Sequence, residues 1–278
     1  MFNGRKIVVA TKHYKESVIA PVLKNHLNLD AFVLTDFDTD QLGTFTGEIS
    51  REDDSLTTVK RKCLQAMELA NCDLGIASEG SFGNHPTIFI APADDELLVF
   101  IDKKNNLEIV AREISLDTNF DQKTCFSVDE VFEFAQNVKF PSHGLILRKN
   151  PNDFESIYKG IVHPEHLKVL AEQFLKEQDS IYVETDMRAM YNPTRMLVIQ
   201  ELTKKLIQKI KCLCPNCQTP GFDVVELIKG VPCKQCLQPT ESTQYLIKQC
   251  KKCDYSEKEK YKPDRKFEDP MYCNYCNP

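Results

Sequence analysis

Eight of the twelve cysteines fall into four C-x-x-C pairs: Cys214/Cys217, Cys233/Cys236, Cys250/Cys253 and Cys273/Cys276. Two thiolates three residues apart on a tight turn grip one face of a tetrahedral zinc ion, and a second pair closes the other face. The simplest pairing is sequential, with Cys214, Cys217, Cys233 and Cys236 around one zinc and Cys250, Cys253, Cys273 and Cys276 around a second. The alternative is cross-braced, first pair with third and second with fourth. Four sulfur ligands leave no position open for water, so such sites hold structure rather than catalyse.

A second set of residues could do chemistry of another kind. Several strand-like segments run directly into polar, charged ends. Thr11, Lys12 and Lys15 follow the first, Asp36, Asp38 and Asp40 the second, and Glu79 and His85 the third. The segment 180–185 ends in Glu184, with Asp186, Arg188 and Arg195 after it. Ligands of α/β sheets bind at the carboxyl ends of strands. Magnesium takes a few carboxylates together with waters and substrate phosphates. Glu79, Glu184 and Asp186 are therefore expected to hold magnesium if their strands are neighbours. Thr11, Lys12, Lys15 and Lys62 are expected to meet phosphate oxygens, with Arg188 and Arg195 as further clamps. His85 is a candidate general acid or base. Each residue also has a plainer role, as ion pair, cap or turn former; together they predict a pocket. No Ser-His-Asp set, Walker loop or dinucleotide glycine fingerprint is present.

The elements that must position these groups alternate. Strands are expected at Arg5–Thr11, Ala31–Thr35, Asp73–Ser78, Leu97–Asp102, Leu107–Ser115, Gly144–Arg148 and Ser180–Thr185. Helices are expected at Tyr14–Leu27, from a cap at Ser55 to Ala70, from a capping box at Ser127, at Pro164–Glu177, and from Asn192-Pro193 to Lys211. The segment after Ser78, EGSFGNHP, reads as a loop. This pattern predicts an α/β fold: a mixed, partly parallel sheet with helices on both faces over residues 1–211, then a small double zinc-ribbon module over 212–278.

The composition suits a soluble globular chain of 278 residues with net charge −6. Residues 204–278 hold 14 Lys+Arg against 9 Asp+Glu. That excess invites nucleic acid, but a zinc with four thiolates carries a charge of about −2, so two such sites leave the module near neutral. No run of apolar residues is long enough for a membrane span. The start, MFNGRKIVVAT, lacks the sections of a signal peptide, so the cytoplasm is the expected compartment.

The segments ATKHYKE, FDTDQLGTFTGEI, ASEGSFGNHP, ETDMRAMYNPTR and CPNC…TPGF…PCKQC together resemble a bacterial family of unknown function with a C-terminal zinc ribbon. About the first 90 residues are also similar to the inosine/xanthosine triphosphate pyrophosphatase superfamily, through ATKHYK, SLTTVKRKC and DLGIASEGS. That similarity implies phosphate contacts from Thr11, Lys15 and Lys62 and a metal on Glu79. The chain departs from it with His13 in place of Asn and a Ser-Glu-Gly turn in place of a paired Asp. Two functions follow as expectations. One is a magnesium-dependent phosphohydrolase or pyrophosphatase acting on a nucleotide or related small phosphorylated substrate. The other is a nucleic-acid-binding or adaptor protein whose ribbons dock and whose α/β body is a scaffold.

Overall fold

The computed structural model describes residues 1–35 and 54–278. Asp36, Asp38 and Asp40 lie outside the described residues. The chain divides into two compact units, Met1–Ile207 and Gln208–Pro278.

The first unit is α/β, and its first sheet is mixed. Strands β1 (Lys6–Ala10), β2 (Asp30–Phe32) and β3 (Leu74–Asn84) run parallel, while β4 (Pro92–Asp102) and β5 (Leu107–Ser115) complete it antiparallel, in the order β2-β1-β3-β4-β5. Helices α1 (Glu16–Leu27) and α2 (Ser55–Leu69) supply the crossovers. The N-cap of α2 is Asp54 rather than the expected Ser55, and its side chain accepts from the backbone N–H of Leu56 and Thr57. One face of the sheet buries Val8, Ala10, Ala77, Val99 and Ile101 against Val59, Cys63, Ala66 and Met67 of α2. Lys62 of α2 pairs with Glu79, whereas Lys15, at the start of α1, hydrogen-bonds Ser78. Successive strand residues point to opposite faces, so the two helices cover opposite faces.

The sequence pattern stops β3 at Ser78; the strand runs on to Asn84, and β4 begins five residues before the expected Leu97. A charged, glycine-containing stretch holds as strand because it pairs with β4 along its whole length. The register sets Gly80 opposite Glu96 and Phe82 opposite Asp94.

A second sheet was not foreseen. Strands β6 (Gln122–Cys125), β7 (Leu145–Arg148), β8 (Tyr158–Ile161) and β9 (Ile181–Thr185) form an antiparallel sheet in the order β6-β9-β7-β8. Its inner face buries Cys125, Leu145, Leu147, Ile161, Ile181 and Val183 against α3 (Val128–Asn137) and α4 (Pro164–Glu177). Each such side chain contributes about 1.5–3 kcal/mol when fully buried. Ser127 caps α3 by accepting from the Glu130 N–H, as the capping box predicts. Helix α5 (Pro193–Lys211) opens on Asn192, whose side chain accepts from the Arg195 N–H.

The second unit is a three-stranded antiparallel sheet, β10 (Asp223–Lys229), β11 (Thr243–Gln249) and β12 (Ser256–Lys260), with the cysteine pairs at its two ends. No helix among the described residues is long and apolar enough to cross a membrane.

Candidate functional site

The cysteines build two sites, and their pairing is cross-braced. Cys214, Cys217, Cys250 and Cys253 form one cluster, and Cys233, Cys236, Cys273 and Cys276 the other, each with its sulfurs within 4.8 Å of one another. The sequential pairing is thereby corrected. The hairpin supplies the reason. Asp223 pairs with Gln249 and Lys229 with Thr243, so the first and third cysteine pairs meet at one end of β10–β11 while the second lies in the connection at the other end. A seven-residue strand spans about 23 Å at roughly 3.3 Å per residue. The first and second pairs therefore cannot share an ion. After β12 the chain returns to the connection, where Glu268 bridges to the second knuckle through the Lys234 N–H at 2.9 Å. This brings the fourth pair to the second.

The geometry fits zinc. Cys214 and Cys253 sulfurs lie 3.7 Å apart, Cys217 and Cys250 3.6 Å, and Cys236 and Cys273 3.6 Å. Sulfurs about 2.3 Å from a tetrahedral zinc sit about 3.8 Å apart. The Lys252 and Gln235 N–H groups donate to Cys250 and Cys233 sulfur at 3.4 Å, stabilising thiolate charge. The two clusters are compatible with two structural zinc ions.

In the first unit, a cleft of about 440 Å³ opens between the two sheets. Ser81 and Phe82 of β3 and Phe120 form one side; Ile146 and Arg148 of β7, Tyr182 and Glu184 of β9, and Asp186 to Arg188 form the other. The Phe82 and Phe120 rings lie 5.8 Å apart. Alternation explains the lining: Leu145, Leu147 and Val183 face the core, which turns Ile146, Arg148, Tyr182 and Glu184 toward the cleft. Arg148 and Glu184 are diagonal neighbours across β7 and β9 and form an ion pair. The Arg148 guanidinium also lies over the Phe154 and Tyr182 rings, 5.6 Å from each centroid. Its Nε and Nη1 are buried and have no hydrogen-bond partner among the described residues. Burial raises the Glu184 carboxyl above the usual range against the opposing pull of Arg148, and Asp186 adds to the rise.

Behind Phe82 lies a closed block of charge. Arg195 is 1% exposed, donates from Nε to Glu96 Oε1 at 2.6 Å and stacks over Phe82 at 5.0 Å. Lys15 donates to Ser78 Oγ at 2.9 Å and sits 3.9 Å from Glu96 Oε2. Burial, and then Arg195, pushes the Lys15 ammonium down to about 8.

The expected site residues are thus divided. Glu184, Asp186 and Arg188 line the cleft. Lys15 and Lys62 are buried against the middle of β3, one held by Ser78 and Glu96, the other by Glu79. The Thr11 hydroxyl is buried nearby, without a hydrogen-bond partner among the described residues, while Lys12 is exposed. His85 serves a turn, its Nδ1 accepting from the Thr87 and Ile88 N–H groups at 3.2 and 3.1 Å. Asp186 accepts from the Gly160 N–H at 2.9 Å and from Arg188, which anchors the turn after β9.

These positions do not fit the expected magnesium. Glu79 and Glu184 lie on strands of different sheets, so their strands are not neighbours. Each of the three carboxylates is held by its own cation, Lys62, Arg148 or Arg188. Among the described residues, only the two cysteine clusters bring three or more metal-ligating groups together.

Residues 62–278 match the family described as a domain of unknown function, DUF6671. The chain belongs to that family. No curated protein matches it. The matched span takes in every residue of the cleft and all eight paired cysteines, and leaves out Thr11, Lys12 and Lys15.

Sequence reasoning missed Arg148, Asp94 and Glu96. Arg148 ends GLILR, a strand whose apolar alternation already implied that an even-numbered position could face away from the core. Asp94 and Glu96 stand at strand spacing in APADDELLVF, ahead of the expected strand start at Leu97.

Proposed function

We propose that the first unit is a hydrolase of small phosphorylated compounds, nucleotides foremost, and that its substrate occupies the cleft between the two sheets. The observation that carries this reading is Arg148. A guanidinium 5% exposed, with two donors unpaired among the described residues, lies against a cleft walled by aromatic rings. A small rearrangement would let those donors take a phosphate oxygen, and Arg188 adds positive charge from the same wall. Phe82, Phe120 and Tyr182 offer faces to a planar group. Glu184, raised by burial, is suited to move a proton at the reacting centre, and the arginines to neutralise charge developing there. No step is assigned to a resident magnesium. The cysteine clusters hold the second unit.

The full-length zinc-loaded protein, given a panel of nucleoside mono-, di- and triphosphates, is expected to release phosphate or pyrophosphate from at least one of them. Glu184→Gln is expected to cut turnover about 100-fold or more. Arg148→Lys keeps the charge and tests the fork geometry, with the melting temperature showing whether the fold survives. Turnover of no compound sinks the hydrolase. Turnover untouched by both folded variants sinks the cleft as its site. Salt-sensitive binding of RNA or DNA without turnover would favour the adaptor reading, which Tyr261, Tyr272 and Tyr275, exposed in the cysteine-rich unit, support.

A further inference from the structure

Asp94 and Glu96 stand two residues apart on β4, on the same face, and are 1% and 0% exposed. Glu96 Oε1 is taken by Arg195. Its Oε2 and both oxygens of Asp94 have no hydrogen-bond partner among the described residues. Three carboxylate oxygens cannot all stay bare and charged in the interior, where each unpaired polar atom costs on the order of 1–3 kcal/mol and an unpaired charge far more. One proton resolves this at a stroke, because a protonated carboxyl donates to its ionised neighbour.

We propose that Asp94 and Glu96 share a single buried proton, so that Asp94 stands as a neutral acid donating to Glu96 and the pair carries one negative charge. The surroundings favour this distribution. Glu96 faces two cations, Lys15 from α1 and Arg195 from α5. Burial works against its charge, yet those cations hold its carboxyl below the usual range. Asp94 has no ion pair of its own among the described residues; burial first, and then the charge of Glu96, pushes it up to about 8 against the weaker pull of Arg195 and Lys15. Glu113, across from Glu96 on β5, is occupied by Lys205, and Lys62 and Glu79 satisfy each other. Asp94 is opposite Phe82 in the register, and Phe82 forms part of the cleft wall. Loss of the proton would place a second negative charge directly behind that wall and draw Lys15 and Arg195 away from Glu96. The inference does not depend on what the cleft binds.

The test is infrared spectroscopy on the full-length zinc-loaded protein with carbon-13 in its aspartate carboxyls. At about pH 6 the wild type is expected to show the carbonyl stretch of one protonated aspartic acid, fading as pH passes about 8 and missing from Asp94→Asn. The sign of the linked stability follows. The folded protein keeps a proton that the unfolded chain releases near 3.9, so stability falls as pH rises from there to about 8. The folding constant should fall about tenfold per pH unit in that window relative to Asp94→Asn, which has no proton to lose. A folded wild type without a protonated aspartate band at about pH 6 overturns the proposal, as does a band that survives in Asp94→Asn. If that variant does not fold, the wild-type titration decides alone: a band fading near pH 8 supports the shared proton, and no band refutes it.

Discussion

The two units of this chain solve one problem by different means. The cysteine-rich unit has a thin core, with Cys214, Phe222 and Cys250 in a buried cluster, and gathers eight cysteines into two clusters compatible with zinc around a three-stranded sheet. The α/β unit buries continuous apolar faces on both sheets and can therefore bury charge as well, provided every ion finds a counterion. Metal coordination is closed chemistry, since four thiolates leave no room for a substrate. A buried charge network beside an aromatic cleft is open to chemistry. On the proposed reading, structure lies in one unit and reactivity in the other.

Removing metal should separate the units most sharply. Structural zinc contributes about 10–16 kcal/mol of apparent binding energy in small metal-dependent folds. A strong chelator is expected to abolish the dispersed amide signals of residues 208–278 while those of the α/β unit persist. Because the bracing is crossed, Cys217→Ser and Cys250→Ser should each lose the same one of two zinc ions, and Cys236→Ser the other. Metal counting together with the shifts of the surviving knuckles checks this. Loss of shared signals by Cys217→Ser and Cys236→Ser would restore the sequential pairing.

In the α/β unit the largest single effect should come from Arg195→Met. It leaves Glu96 buried without its closest cation, at a cost of about 3–5 kcal/mol, read as a drop in the denaturation midpoint. Gly80→Ala follows. A Cβ there would lie 2.6 Å from Arg195 Nη2 and closer still to Glu96 Oε1, and forcing that block apart should cost about 1–3 kcal/mol. Ser127→Ala, which only unties the N-terminus of α3, should cost about 1 kcal/mol in the same measurement. A Gly80→Ala effect as small as that of Ser127→Ala would mean that the charge block is loose, and the contrast between the units would weaken.

What the sequence disclosed follows the same division. The eight cysteines were legible because their chemistry is written in spacings of three residues. Their pairing was not, because it depends on which end of a hairpin each knuckle occupies. The alternating strands and helices, the capping box at Ser127 and the start of α5 at Pro193 were local signals and held. The extension of β3 through Glu79 and Gly80 was invisible because the partners that allow it come from α2 and α5, Arg195 being 99 residues from Glu96. The cleft was hidden for a related reason. Glu184, Asp186 and Arg188 were found from the motif that begins at the end of β9, but Arg148 became a candidate only when β7 and β9 were seen as neighbours.

The most direct test of this division is amide shift mapping of the zinc-loaded full-length protein during titration with a nucleoside triphosphate. The expected shifts centre on Phe82, Phe120, Arg148, Tyr182 and Glu184, with the four knuckles unmoved. Shifts confined to the knuckles, or none at the cleft at saturating ligand, would contradict it.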